Sequence, residues 1–414
     1  GFYWLFGPSA WVAHLANALA GALVPVVVFL LGTEGLSPRR ARLAAVLAAV
    51  HPGLVLYGAL VMSEVLAALT VMTAFWVAVR GSRAWGALRG VAAGALVIGV
   101  GALVRPQALL CAPFLALAAP PAAASWRTLR DRLGIAALGC ALALVPVLPW
   151  TARNCAVMDG CALVSTNAGW NLAIGSFPRA TGRFETLRSS DGCREVTGQV
   201  QQDRCWFEYG LQNIRRAPLR WLGLVPAKLA NTFDHESFAV EYLREAKPAA
   251  WPEPRRVTWR GVLTATHRVL VIGAPFAFVA FVDPRRRRRA HDRPMLDRGA
   301  LVQGATWMLL AGSAYLAVSA ETPVFWPIVL ATCVLSVLPL PGRPAPSPVL
   351  LLSIALLATT ALTHAVFFGD DRYHVVVTPA LCLLAASVLR PPAPRQHTRG
   401  ADTGGARAAG TSTS

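Results

Sequence analysis

Long runs without charged residues alternate along the chain with short clusters of arginine. Each of five runs is about the length of a membrane-crossing helix, which needs about 20 apolar residues. These runs are Trp11–Leu31, Leu133–Ala152, Gly299–Ala320, Thr322–Gly342 and Pro344–Gly369. The pattern predicts an all-α, polytopic transmembrane helical bundle.

Two further apolar stretches are too long for one span. Leu43–Val79 contains Glu64 as its only charge, and Gly90–Trp126 contains only Arg105. We expect each stretch to form a hairpin of two spans of about 18 residues with the lone charge near the turn. Glu321 and the Asp370–Arg372 group occupy equivalent places later in the chain. The total is about eleven spans.

The arginine clusters predict the orientation. The net charge of +18 comes almost entirely from arginine, and the loops around Arg39, Arg83, Arg130 and Arg287 are expected to be cytoplasmic by the positive-inside rule. The hairpin tips and the segment Trp150–Gly261 then lie outside. The run Arg285–Arg289 resembles a nucleic-acid-binding patch, but it directly follows an apolar stretch, so we interpret it as a topology anchor and expect no nucleic-acid partner.

These patterns divide the chain into four parts. Residues 1–149 form an N-terminal bundle of six spans, 150–261 an extracytoplasmic loop, 262–389 a C-terminal bundle of five spans, and 390–414 a disordered cytoplasmic tail. Within the loop, Arg216–Phe238 carries an apolar stripe of Leu219, Leu222, Leu229 and Phe233. The stripe predicts an amphipathic helix that lies in the membrane interface or packs on the loop.

Four of the eight cysteines lie in this loop. In an oxidising compartment Cys155, Cys161, Cys193 and Cys205 would form two disulfides. Four cysteines allow three pairings, and short separation favours Cys155 with Cys161 and Cys193 with Cys205. A zinc cluster is the alternative, but the paired C-x-x-C spacing is missing.

Short polar motifs mark the external ends of the spans. They are His51-Pro52 with Ser63-Glu64, Arg105-Pro106, Pro149-Trp150 with Arg153-Asn154, the stretch Thr166–Gly182 and Asp371-Arg372-Tyr373 with Pro379. In this order they resemble GT-C-fold glycosyltransferases of family 39, which includes protein O-mannosyltransferases, aminoarabinose transferases and lipid A galacturonosyltransferases. The resemblance covers nearly the whole chain. Ser176 stands where many relatives have Asn.

The resemblance implies transfer of a sugar from a polyprenyl-phosphate donor to a lipid, glycan or protein acceptor, with inversion at the anomeric carbon. Such a displacement needs a carboxylate to accept a proton and cations to stabilise the departing phosphate. The family takes its principal base from the first external loop. Phe2–Gly7 looks like the end of that loop, so we expect the first span and the base upstream of Gly1.

The candidate site residues follow from the resemblance and from the charges at the external ends of the spans. Glu64 is the auxiliary acid, although a structural ion pair with Arg105 is an equal alternative. Candidate ligands of the donor phosphate are Arg105, Lys228, Arg372 and Tyr373, each with a snorkelling or interfacial role as its alternative. Asn167 and Asn171 are the candidates for sugar or acceptor contact. We set Asp234, His235 and Glu236 aside as a metal cluster because consecutive helical positions point in different directions.

Two other functions remain open. A lipid or glycan transporter, including a flippase, would also be polytopic, and a catalytically incomplete relative would keep the fold. No cofactor is required by the pattern, a divalent metal is possible, and the metal ligands are unknown. The expected partners are the lipid-linked donor and membrane lipids. The arginine- and alanine-rich composition is typical of GC-rich coding, so we expect the bacterial cytoplasmic (inner) membrane.

Overall fold

A computed structural model describes residues 5–119, 126–279, 304–305, 307–312, 315, 324–338 and 345–389. The arginine run 285–289, Glu321 and the predicted tail 390–414 lie outside these ranges. The described part is helical, and its only β pairing is an isolated parallel bridge between Arg183 and Gly369. The all-α prediction is therefore confirmed.

The N-terminal half consists of consecutive helices joined by short turns. They are α1 Ala10–Thr33, α2 Pro38–Val50, α3 Pro52–Ala59, α4 Ser63–Ala84, α5 Ala87–Val104, two 3₁₀-helices at Pro106–Cys111 and Pro113–Ala118, α6 Trp126–Leu144 and α7 Leu148–Val157. Proline sits at the start of several of these elements. Its fixed φ and missing N–H suit the first turn of a helix.

The helices of the loop and of the C-terminal half follow. They are α8 Ala168–Ile174, a 3₁₀-helix Ser189–Asp191, α9 Gln199–Arg216, α10 Pro218–Gly223, α11 Val225–Phe233, α12 Phe238–Ala246, a 3₁₀-helix Pro248–Ala250, α13 Glu253–Gly273, a 3₁₀-helix Ala274–Ala277, α14 Trp326–Val337, α15 Pro348–Val366, a 3₁₀-helix Asp371–Val376, α16 Thr378–Ala385 and a 3₁₀-helix Ala386–Val388.

By length and composition, four described helices can cross a membrane, namely α1, α4, α5 and α15. The number rises to six if two bent pairs each form one span: α2 with α3, bent by 51°, and Leu129–Leu144 with α7, bent by 46°. These are the features of a multi-pass membrane protein. The prediction of about eleven spans extends into residues that the structure does not describe.

The two hairpin turns lie where the lone charges predicted them. Glu64 is in the first turn of α4, and Arg105 directly follows α5. The second leg of the latter hairpin is not the regular helix of about 18 residues that we predicted. It begins as two 3₁₀-helices, because Pro106 and Pro113 each lack the N–H that a continuous α-helix would use.

Small residues allow the spans to pack closely. A Cβ added to Gly90 of α5 would lie 2.1 Å from the backbone nitrogen of Ser82 in α4. A Cβ on Gly99 would lie 2.3 Å from the carbonyl oxygen of Ala143 in α6. Such close approach of backbones is how helices associate in a membrane, where burial of apolar surface gives little driving force.

Arginine contacts gather several helix ends at one face of the bundle. Glu34, after α1, binds Arg83 at 2.7 Å and Arg80 at 3.6 Å, both near the end of α4. Arg40 of α2 donates hydrogen bonds to the carbonyls of Ser387 and Leu389. The predicted cytoplasmic ends of these segments therefore lie together, while the assignment of this face to the cytoplasm stays a prediction.

The loop is a helical unit with its own small core. Ala173, Ile174, Phe177, Leu187 and Trp206 are buried in it, together with Phe368 and Tyr373 from the C-terminal half. The structure pairs Cys155 with Cys161 and Cys193 with Cys205. The predicted boundaries do not coincide with helix ends, because Trp150 lies inside α7 and Gly261 inside α13.

The prediction of one amphipathic helix over Arg216–Phe238 was wrong. The segment forms α10 and α11, and Pro226 in the first turn of α11 supplies no N–H to continue the preceding helix. The apolar stripe divides accordingly: Leu219 is 82% exposed, whereas Phe233 is fully buried in the main core.

Candidate functional site

Glu64 and Arg105 meet at the tips of two neighbouring hairpins. Antiparallel packing of α4 and α5 brings the first turn of α4 beside the end of α5, and Pro106 disfavours helical geometry at Arg105, whose backbone is extended. Arg105 Nη2 lies 3.0 Å from Glu64 Oε1. The side chain of Glu64 is 2% exposed and that of Arg105 17%, so the pair is largely shielded from solvent.

Tyr373 lies between two arginines. Arg372 Nη2 donates to the Tyr373 hydroxyl at 3.1 Å, and the Cζ atoms of Arg372 and Arg105 lie 4.9 and 5.3 Å from the centre of the ring. His364 of α15 stacks on the same ring at 4.2 Å. Cation–π contact and ring stacking thus hold Arg105 and Arg372, which are far apart in sequence, around one phenol.

Four of the predicted site residues are therefore neighbours: Glu64, Arg105, Arg372 and Tyr373. We call them the arginine–tyrosine cluster. Two cations face one nearby carboxylate, Glu64, and a second carboxylate, Asp370, approaches Arg372 Nε at 3.8 Å. The pairing of Glu64 with Arg105 is the structural alternative that the sequence left open, and the catalytic role of these residues stays a prediction.

A small cavity adjoins the cluster. Its volume is about 40 Å³, and its wall includes Arg105, Gln107, Thr359, Thr363 and Tyr373. Such a volume holds a few water molecules and is too small for a sugar. A ligand of the two arginines would therefore occupy their outer side or require movement of the hairpin tips.

Sequence reasoning did not select Asp370 and His364. Asp370 accepts a hydrogen bond from the backbone N–H of Arg372 at 3.2 Å, and its burial beside Asp371 raises the pKa of its carboxyl to about 6. The signal for Asp370 was its place in the same charged turn as Arg372. His364 gave no such signal, because it lies among threonines near the end of an otherwise apolar span.

Asp371 holds the turn against the loop. Its side chain is buried and accepts hydrogen bonds from the backbone nitrogens of Ser237 and Phe238 at the start of α12. This is the arrangement of a carboxylate at a helix N-terminus. The contact fixes the 3₁₀-helix that carries Arg372 and Tyr373.

Lys228 serves a different contact from the one predicted. Its side chain is fully buried, and its ammonium donates to the carbonyls of Ala365 and Val366 at 3.3 and 3.1 Å. Burial, with help from Arg220, lowers the pKa of Lys228 to about 8. These bonds satisfy carbonyls at the end of α15 that have no partner within the helix. A phosphate-binding role for Lys228 stays a prediction that this geometry does not favour.

The two candidate asparagines are in the loop at α8. Asn167 is exposed directly before α8 and Asn171 is half-buried within it. Asn167 borders a cleft of about 370 Å³ together with Trp170, Asp203 and Trp206. Neither asparagine lines the cavity beside the cluster, so their proposed contact with sugar or acceptor stays a prediction.

The three consecutive residues set aside as a metal cluster do point in different directions. Asp234 accepts from the backbone nitrogens of Phe325 and Trp326, and His235 approaches Asp371 at 4.0 Å. Glu236 instead faces two histidines from distant segments, and Glu236, His267 and His374 form a buried group able to hold a metal ion.

The comparisons with known proteins agree with the resemblance in the motifs. The family model of dolichyl-phosphate-mannose-protein mannosyltransferase matches residues 1–150. This match confirms the resemblance over the N-terminal third of the chain. It covers α1 to α6 and thus Glu64 and Arg105, while Arg372 and Tyr373 lie beyond it. The comparison with curated proteins gave no match.

Two crystal structures of the Archaeoglobus fulgidus oligosaccharyltransferase also resemble the chain. One carries an acceptor peptide with the NVT sequon, tethered by a disulfide bond, and is 17% identical with a TM-score of 0.34. The other is the apo form, 14% identical with a TM-score of 0.35. Each match covers 91% of this chain but only 38% and 39% of the archaeal protein. The chain thus spans less than two fifths of the length of these structures.

Proposed function

We propose that this chain is a membrane glycosyltransferase of the GT-C type, which transfers a sugar from a polyprenyl-phosphate donor to an acceptor at the extracytoplasmic face with inversion. The observation that carries the proposal is the arginine–tyrosine cluster. It places two guanidinium groups around one phenol at the turns between helices, in a chain whose N-terminal part matches a mannosyltransferase family.

The chemistry needs such a group of cations. When the bond between the anomeric carbon and the phosphate oxygen breaks, negative charge accumulates on the departing lipid phosphate. Guanidinium groups form charge-assisted, often bidentate, hydrogen bonds with phosphate, and donors already in place stabilise the charge without reorganisation. Arg105 and Arg372 supply these donors, and Tyr373 adds a hydroxyl beside them.

Two carboxylates, Glu64 of the cluster and Asp370 beside it, orient the arginines in this proposal. Glu64 holds Arg105, and Asp370 lies next to Arg372. A substrate phosphate would share the guanidinium donors with these two anions. The proposal places the active face outside a bacterial cytoplasmic membrane, on the side opposite the arginine-rich helix ends.

Transfer of radiolabelled sugar from polyprenyl-phosphate in membranes containing the full protein tests this function. Arg372→Ala is expected to lower transfer by at least about tenfold, the scale of losing 1.4 kcal/mol of transition-state stabilisation. Arg244→Ala is the matched control, since this exposed arginine on the loop pairs with Glu241 at 4.0 Å, away from the cluster, and it should leave transfer unchanged.

The binding of the donor separates the competing functions. Donor bound by the wild type but not by Arg372→Ala, together with transfer, supports the enzyme. Donor binding with movement of the lipid across the bilayer and no transfer would show a transporter. Equal transfer by wild type and Arg372→Ala would contradict the assignment of the cluster.

A further inference from the structure

We infer that Glu236, His267 and His374 bind a divalent transition metal, best suited to zinc, behind the arginine–tyrosine cluster. One ligand atom from each residue lies within 4.8 Å of the others, and all three side chains are fully buried. Glu236 follows α11, His267 is in α13, and His374 is in the 3₁₀-helix Asp371–Val376. The inference does not depend on the proposed function.

Backbone hydrogen bonds fix the protonation of both imidazoles. His267 Nε2 lies 2.9 Å from the carbonyl oxygen of Phe233, and His374 Nδ1 lies 2.7 Å from that of Thr232. A carbonyl only accepts, so these nitrogens carry the hydrogens. The other nitrogens, His267 Nδ1 and His374 Nε2, then present lone pairs. Metal-binding histidines are oriented in this way, by donating the second N–H to a backbone carbonyl.

The lone pairs and the carboxylate have no hydrogen-bond donor among the described residues. Glu236 Oε1 and Oε2, His267 Nδ1 and His374 Nε2 are all buried without a hydrogen-bond partner. His374 Nε2 lies 3.4 Å from Glu236 Oε2. A buried carboxylate that faces two lone pairs is strongly unfavourable. A cation between them removes the repulsion and bonds to all three groups.

The rival explanation is a proton on His374, which would make a buried ion pair with Glu236. The two imidazole rings stack with centroids 3.7 Å apart, so they cannot both be charged without strong repulsion. One proton would satisfy Glu236 and His374 but would leave His267 Nδ1 unpartnered. A metal ion accounts for all of the unpartnered atoms of the group.

His51 is a neighbour of this group but not a ligand. Its Nδ1 accepts from the backbone nitrogen of Leu54 at 3.4 Å, so its Nε2 carries the hydrogen and has no lone pair to offer. The next turn of the chain forms a wall of the site: a Cβ on Gly53 would lie 1.9 Å from Glu236 Oε1. A larger residue at position 53 would displace the carboxylate.

The ligand set selects the metal. Two imidazoles and one carboxylate suit zinc and related transition metals, while magnesium and calcium prefer oxygen ligands. Three protein ligands leave one position of a tetrahedral zinc ion for water or another ligand. The ion would join the end of α11, α13 and the 3₁₀-helix, and thereby position Arg372 and Tyr373.

Metal analysis of the full protein tests the inference. The protein is purified with a tag that contains no histidine, dialysed against zinc and then against buffer, and measured by plasma mass spectrometry. The wild type and His14→Gln, a control histidine on α1, should retain stoichiometric zinc. Glu236→Gln, His374→Gln and Gly53→Val should lose most of it. Chelation should lower the unfolding temperature of the wild type, and zinc but not magnesium should restore it.

Cobalt substitution of the wild type keeps the test independent of how the variants fold. Visible absorption typical of cobalt in a nitrogen- and oxygen-ligated site of low symmetry is expected. Wild-type protein that binds neither zinc nor cobalt would show that the group holds a proton instead. Full zinc content in folded Glu236→Gln and His374→Gln would place the metal elsewhere and also overturn the inference.

Discussion

Breaking the Glu64–Arg105 pair should have unequal effects depending on which partner is replaced. The Glu64 carboxylate is 2% exposed, so Arg105→Gln leaves a charge that water cannot reach. Removing one partner of a buried pair costs about 3–5 kcal/mol. We expect the free energy of unfolding to fall by about 3 kcal/mol, at the lower end because the glutamine amide can still donate to Glu64.

Glu64→Gln should cost less, about 1 kcal/mol. The Arg105 side chain is 17% exposed and keeps the ring of Tyr373 at 5.3 Å, and the glutamine oxygen can still accept its hydrogen bond. The double variant Glu64→Gln with Arg105→Gln contains no unpaired charge, so it should be more stable than Arg105→Gln alone. Coupling of this sign is what a direct ion pair produces.

The assay is reversible unfolding of the purified protein in mixed micelles, with all four proteins in the same detergent. A second measurement on the double variant, the binding of a polyprenyl phosphate, separates the two roles of Arg105. Restored stability with lost binding supports Arg105 as a phosphate ligand. Single costs in the reverse order, or costs that simply add in the double variant, would refute the electrostatic reasoning.

Three further predictions concern Asp370, Lys228 and the two disulfides. The folded-state pKa of Asp370, about 6, lies above its ordinary value, so the folded protein binds this proton more tightly, and the contribution of Asp370 to stability falls as pH rises from about 4 to 6. Asp370→Asn should therefore be more stable than the wild type at pH 7 and lose this advantage near pH 4. Unfolding measured across this pH range tests the prediction, and a difference in stability that does not change with pH would contradict it. Lys228→Met should lower stability by about 1–3 kcal/mol, because the carbonyl of Ala365 loses its donor and that of Val366 keeps only the indole N–H of Trp221. Donor binding by the folded variant should stay unchanged, and lost binding would restore Lys228 as a phosphate ligand. Mass spectrometry of unreduced protein should show Cys155 linked to Cys161 and Cys193 linked to Cys205, and four free thiols would contradict this pairing. Cys193→Ser should destabilise the protein more than Cys155→Ser, because Cys193 is buried in the loop core.

The amino-acid sequence determined the features that depend on local composition. A lone charge in a long apolar stretch is too costly at the centre of a bilayer, so Glu64 and Arg105 had to lie near turns, and the structure has them there. The same reasoning applied to the charged turn of Asp370, Asp371 and Arg372. Antiparallel hairpins then bring such turns to one face.

Only the tertiary structure decided which of these charges meet and which are used structurally. Lys228 looked like any cation at an interface, yet its ammonium lies at the end of α15, because α11 of the loop packs against α15 there. Pro226 in the sequence accounts for the break between α10 and α11. The burial of Phe233 and the exposure of Leu219, however, depend on neighbouring helices.

The metal-binding group shows the same limit most clearly. Glu236, His267 and His374 have no common motif, since they come from three segments spread over the C-terminal half. In the sequence, Glu236 was considered only together with its neighbours Asp234 and His235 and was set aside with them. The backbone at each position sets the direction of the side chain, so only the structure shows that Glu236 alone faces the two histidines. The tautomers of the two histidines depend on carbonyls of α11 that only folding brings within hydrogen-bond distance.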